Sequence, residues 1–322
     1  VYLPGGHGGR RRGPRAVLQR VLLGQLPRPS RGREAGTHLF RGEPGLLTRA
    51  LLRSLPKAEL HVHLDGSLRP LTLAQLAQER DRNLPVYEAD ALGSHMLVSD
   101  ARNLEEYLDR FALTLSVMQD ADAIQRIAYE LAADHHSENV RYVEVRFCPA
   151  LNTHEGLEAH EALEAALKGL QRAEEALGIR SQVIVCALRT LDPNVSYTMA
   201  ELAVAYHGRG VCAFDLAGAE AGYPAKDHVD AFRLATSSCV PITVHAGEGY
   251  GPASLRQAIE VAHASRIGHG TRLEEDPELM AYVRERAIPL EVCMTSNVQT
   301  RVAASYAEHP VRRYFDEGIP VS

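Results

Sequence analysis

The 322-residue chain is 45% hydrophobic and 24% charged and has no Trp, the make-up of an ordinary soluble globular protein. No apolar run approaches the roughly 20 residues that a helical membrane span requires. The net charge of −6 is unevenly placed: residues 1–53 hold eleven Arg and two acids (Glu34, Glu43), a balance of +9, so the remainder carries −15. So acidic a body is a poor surface for nucleic acid, which wants basic patches. Cys148, Cys186, Cys212, Cys239 and Cys293 are odd in number, include no close pair and sit in or beside apolar runs. They are expected to be reduced, buried thiols of a cytoplasmic protein.

Residues 1–53 are dominated by Gly, Pro and Arg, a composition that buries little apolar surface. A disordered tail is expected there, in preference to a transit peptide or a nucleic-acid-binding arm. Regular patterning starts at Ser54. In Lys57–Gly66, apolar Leu60, Val62 and Leu64 alternate with Glu59, His61 and His63, the period of a short strand. Side chains two apart on a strand share a face, so His61 and His63 point the same way. Two neutral imidazoles on one face are half of a metal site, or a pair of satisfied core histidines.

Helical spacing follows at 71–80, 103–118, 122–138 and 157–177. Pro252 and Pro277 fit the first helical position, the latter behind Asp276 as a cap. Between the helices lie short strand-like runs: Tyr142–Phe147, Val183–Leu188, Val211–Leu216, Ile242–His245, Arg266–Gly268 and Leu290–Met294. With Glu59–Leu64 they make seven strands, and an eighth begins at Ile319-Pro320-Val321-Ser322. Strand–helix alternation implies parallel strands with crossover helices, and eight of them imply a (β/α)8 TIM barrel over residues 54–322. A doubly wound open sheet is the alternative, but Asp65-Gly66-Ser67 is no Gly-rich phosphate loop.

Polar residues gather at the C-terminal strand ends, where barrel active sites lie. These are His245 and Glu248 on the fifth run, His269 between glycines on the sixth, and Asp215 and Gly218 on the fourth. Three histidines, His61, His63 and His245, are a common protein complement for a hydrolytic zinc, which brings the pKa of water to about 7. Glu248 could move a proton at the substrate, and His269 could orient or deprotonate the attacking water.

Taken together, Leu55–Gly66, Asp215-Leu216-Ala217-Gly218, Thr243–Glu248 and Ile267–Thr271 resemble the corresponding segments of adenosine deaminases, and Glu291–Asn297 is similar to the seventh-strand segment of the family's bacterial branch. The resemblance spans residues 54–322. It implies a zinc-dependent barrel that hydrolyses the 6-amino group of adenosine or 2′-deoxyadenosine to give inosine-type products and ammonia. His61, His63 and His245 would hold one Zn2+. Glu248 would protonate purine N1, and His269 would hold and help deprotonate the water. Gly218 would offer its N–H to N3, His63 would also touch substrate, and Asp65 would accept from the ribose 5′-hydroxyl. Leu104, Tyr107 and Phe111 match the apolar helix over the family's pocket, or are ordinary helix packing.

In that family the eighth strand runs into an Asp-Asp or Asp-Asn pair, whose first Asp completes the metal site. This sequence stops at Ser322, ahead of that pair, and the expectation is that 322 residues alone bind zinc weakly and turn over little. Deamination of adenine or aminodeoxyfutalosine is the nearest alternative activity, and a non-catalytic purine-binding protein is the alternative of another class. The His-x-Glu plus Pro-Cys-x-x-Cys signature of nucleic-acid and cytosine deaminases is missing. The strand ends also offer no Lys to bridge two metals.

Overall fold

The computed structural model describes residues 48–97 and 110–322. The seven expected strands form as β1 (Lys57–His63), β2 (Val140–Phe147), β3 (Arg180–Leu188), β4 (Val211–Ala217), β5 (Ile242–Ala246), β6 (Arg266–His269) and β7 (Leu290–Glu291). They pair in chain order, every neighbour parallel. Helices alternate with them: α1 (Arg49–Ser54), α2 (Pro70–Glu79), α3 (Ala89–Met96), α4 (Phe111–Leu115), α5 (Ala121–Ser137), α6 (Ala159–Leu177), α7 (Pro193–Tyr206), α8 (Val229–Ser237), α9 (Pro252–Glu260), α10 (Pro277–Glu285), α11 (Met294–Gln299) and α12 (Val311–Asp316).

The caps read from sequence hold. Pro252 and Pro277 open α9 and α10, and the Asp276 side chain accepts from the Leu279 N–H. In α6, Glu158 and Glu161 form a capping box, Ala162, Leu163, Ala166, Leu170 and Ala173 make the buried stripe, and Gly178 ends the helix at φ 78°.

Three expectations are corrected. The run Leu290–Met294 is not one strand: the ladder ends at Glu291, and Met294 begins α11. Cys239 is exposed in the turn after α8, and Cys212 and Cys293 are only half-buried, although all five thiols are free. The stretch 49–53, assigned to a disordered tail, is the start of helix α1. Residues 98–109, which include the first part of the helix expected at 103–118, lie outside the described residues, as does 1–47 of the tail. No described helix is long and apolar enough to cross a membrane.

The sheet is coiled into a nearly closed barrel. β1 and β7 are first and last in the strand order. In an open sheet, six steps would place them about 29 Å apart. Instead His61 Nδ1 of β1 lies 3.0 Å from Glu291 Oε2 of β7. The eighth position is also begun: Leu290 pairs in parallel with Val321, with N–H···O bonds from Leu290 to Pro320 (2.9 Å) and from Ser322 to Leu290 (3.0 Å). A cleft of about 260 Å3 remains beside this edge, between Glu59–His61 and Val292–Ser296.

Strand periodicity explains the interior. On β2, Val143, Val145 and Phe147 join the hydrophobic core, while Tyr142, Glu144 and Arg146 enter a polar network. Arg146, wholly buried, is its centre: Nη1 reaches Asp215 Oδ2 (3.0 Å), and Nη2 reaches Glu291 Oε2 and the Leu60 carbonyl (2.7 Å each). Arg266 bridges Glu291 (2.7 Å) and Glu144, which the Tyr142 hydroxyl also contacts (2.6 Å). Burial opposes the charge on Arg146, but the two carboxylates outweigh it and raise its pKa. Arg146→Leu leaves Asp215 and Glu291 buried without their shared cation. We expect a loss of about 3–5 kcal/mol in urea unfolding; a variant as stable as the parent would show that the guanidinium is not needed there.

Candidate active site

The C-terminal ends of β1, β4, β5 and β6 converge on a cavity of about 590 Å3 lined by His63, Asp65, Phe111, Gly218, Glu248 and His269 among others. Of the residues expected to form a site, the structure therefore gathers all but Leu104 and Tyr107, which lie outside the described residues. Phe111 stands against His63 with ring centroids 6.4 Å apart.

Four imidazoles crowd the floor. His61, His245 and His269 offer nitrogens within 4.8 Å of one another, and His63 joins through His245, their Nε2 atoms 3.1 Å apart. His61 fits because residue 268 is glycine: a Cβ there would lie 3.0 Å from His61 Cε1 and 3.3 Å from the His245 backbone. Burial, then neighbouring Arg146 and the other rings, push the pKa of His61 well down; burial and the adjacent His245 do the same to His63. Both rings are thus neutral, the form that binds metals.

Hydrogen bonds distinguish the rings. A carboxylate only accepts, so His61 Nδ1–H donates to Glu291 (3.0 Å) and His245 Nδ1–H to Asp215 (3.2 Å). Each therefore presents a bare Nε2 lone pair. Burial alone would raise the Asp215 carboxyl, but His245 and Arg146 outweigh it and hold it below the usual carboxylate range. His269 is set the other way. The Val311 N–H donates to His309 Nδ1 (3.1 Å), so His309 donates from Nε2 to Asn297 Oδ1 (3.1 Å), which Thr271 also contacts (2.9 Å). The Asn297 amide nitrogen then donates to His269 Nδ1 (3.0 Å), leaving the proton on Nε2, 3.3 Å from Glu248 Oε2.

His63 and His245 stand at the spacing of two nitrogens on one ion, and His61 lies within 4.8 Å of His245. Two nitrogens sharing a zinc at about 2.0–2.1 Å stand roughly 3.0–3.4 Å apart, which the His63–His245 pair matches. Carboxylates behind two of the rings are the usual outer support of such sites. His269, protonated on Nε2, is suited to donate rather than ligate.

Glu248 is buried on the cavity wall, and burial followed by the nearby Glu220 carboxylate pushes its pKa up to about 8, against hydrogen bonds from Ser296, Thr300 and Asn297. All three of those donors face Oε1 (3.3, 3.3 and 3.5 Å), whereas Oε2 faces only the His269 ring, so Oε2 is the oxygen better placed to carry the acid proton. Asp65 is also buried, its Oδ1 has no partner, and burial raises its pKa to about 6 despite its own and the Gly66 N–H. Gly218 holds φ 91°, a left-handed conformation that favours glycine, beside Leu188.

Sequence reasoning missed Arg146, Glu220, Glu291 and His309 as parts of this site. Arg146 and Glu291 carried a signal, a charge inside an apolar strand. Glu220 and His309, single loop residues, carried none.

The adenosine deaminase family model matches residues 56–322. A probable adenosine deaminase of Dictyostelium discoideum is 42% identical over 279 residues, 86% of this chain, although the chain spans only 36% of that relative's length. An adenosine deaminase of Clostridium acetobutylicum is 40% identical over 270 residues, covering 84% of this chain and 80% of the relative. Among solved structures, an Arabidopsis N6-mAMP deaminase, MAPDA, superposes with a TM-score of 0.75 at 27% identity, covering 84% of this chain and 82% of that one. The barrel with its imidazole cluster, and a match over most of its length, place this chain in the adenosine deaminase family of hydrolytic deaminases.

Proposed function

We propose that the site hydrolyses the 6-amino group of adenosine and 2′-deoxyadenosine, with His61, His63 and His245 holding one zinc ion. The observation that carries this is the meeting of carboxylate-fixed Nε2 lone pairs with a buried acid, Glu248, that keeps its proton at neutral pH. When bound, the ion supplies the Lewis acidity that lets water act as a nucleophile near pH 7.

The remaining work belongs to the chain's own groups. Glu248 delivers the Oε2 proton to purine N1, which drains charge from C6 and opens it to attack. His269, donating from Nε2, holds the reacting oxygen and Glu248 in register. Gly218 turns its N–H to N3. The new C6–O bond forms, the C6–N bond breaks and ammonia leaves. Of the two protons of water, one ends on the ammonia and one on N1, the latter through Glu248.

Asp65 bears on which adenine compound enters. Its unpartnered Oδ1 accepts a hydroxyl and repels a phosphate, which favours a nucleoside over a 5′-nucleotide. The likeness to a deaminase of N6-mAMP makes the nucleotide the second reading. Ammonia release from adenosine, 2′-deoxyadenosine, adenine, aminodeoxyfutalosine and AMP separates these readings. We expect the nucleosides to react best, Glu248→Gln to lose about 10²–10⁴ in kcat, and kcat/KM to fall as pH rises through about 8. AMP or adenine reacting best would replace the substrate assignment.

Asp65→Asn carries a paired expectation. The folded-state pKa of Asp65 is raised from 3.8 to about 6, so its carboxylate destabilises the fold fully above pH 6 and not at all below pH 3.8. The variant should be more stable at pH 7–8 by an amount on the order of 3 kcal/mol, with the gain vanishing in acid. Its preference for adenosine over AMP should narrow by roughly tenfold, equivalent to about 1.4 kcal/mol. Thermal unfolding and competition kinetics read the two effects.

A further inference from the structure

The turn after β5 is held from both sides. Its N–H groups at Gly247, Glu248 and Gly249 all donate to the Glu220 carboxylate, at 3.0, 2.8 and 2.9 Å. Its carbonyls are taken as well: His245 O by Arg189 Nη2 (2.7 Å), Ala246 O by the Gly270 N–H (3.0 Å) and Gly247 O by the Arg272 N–H (2.9 Å). Three consecutive N–H groups can face one carboxylate because Gly247 adopts φ 71°; a Cβ there would sit 2.9 Å from Leu255. Glu220 is only 3% exposed, and it accepts without donating, the pattern of an ionised carboxylate.

We propose that Glu220 is a positioning residue for the deamination, clamping the β5 turn so that Glu248 is aimed at the substrate ring. This rests on the reading of Glu248 as the acid. Glu220 lies two residues beyond Gly218, so one loop after β4 carries the partner of purine N3 and anchors the partner of N1. The two contacts that set the tilt of the ring are thereby spaced by a single loop. Its charge has a second consequence, since after burial it is the next contributor to keeping Glu248 protonated.

Glu220→Gln tests this, because it keeps the size while turning an NH2 toward N–H donors. Glu220→Asp is the companion variant, retaining charge but drawing the oxygens back by one methylene. In the full chain we expect amide hydrogen exchange at 247–249 to speed by tenfold or more, with β2 and β3 unchanged. The kcat for adenosine should fall at least tenfold, while the inhibition constant of 1-deazaadenosine, which has no N1 to receive a proton, stays within twofold. Unchanged exchange at 247–249 would overturn the clamp. A parallel loss of kcat and of 1-deazaadenosine binding would reduce Glu220 to a structural role. Failure of the parent chain to bind 1-deazaadenosine at all would sink the deaminase reading instead, and the exchange at 247–249 would still decide the clamp.

Discussion

One wholly buried guanidinium holds the site together. Arg146 sits between Asp215 and Glu291, and these two carboxylates in turn take the Nδ1–H of His245 and His61. Two anions in a barrel interior would otherwise repel each other and go unsolvated. With the cation between them they stay ionised and dictate which nitrogen of each ring carries its proton. Donor direction at the mouth of the barrel is therefore decided one layer below it, by side chains that never line the cavity.

A second layer of control operates on the acid. Asn297 joins His269 to Glu248 through its amide nitrogen, and His309 fixes the amide's sense from behind. Ser296 comes to Glu248 from α11, directly beyond the short β7, and Thr300 from the cap at that helix's C-terminal end. This explains why the ladder stops at Glu291: had Leu290–Met294 continued as a strand, Ser296, Asn297 and Thr300 would not lie on one helical turn facing the acid. The left-handed backbone at His269 and Gly270, φ 65° and 67°, likewise turns β6 out of the sheet at the ring that needs redirecting.

Much of this was legible in the residues. Period-two alternation located β1 and short apolar runs between helical patterns located the other six strands, while polar strand ends located the cavity, because a parallel barrel puts its loops and function at one face. His61 and His63 could be paired by spacing alone; adding His245 and His269 needed the fold. The tautomer that sets His269 apart from His61 and His245 could not be read, since it depends on Asn297 and His309, 28 and 40 positions downstream. Glu220 was silent for a related reason: its partners are backbone N–H groups, which no side-chain pattern announces. The five-residue run at 290–294 was too short to tell strand from helix start.

The account stands on opposite proton placement in neighbouring rings, and long-range 15N–1H correlation spectra of the imidazoles near pH 7, without added metal, measure it directly. We expect His61 and His245 to be protonated on Nδ1 with a bare Nε2, and His269 on Nε2. A proton on Nε2 of His61 or His245, bonded to no other ring, would contradict the account, because that nitrogen could not then be presented to an ion.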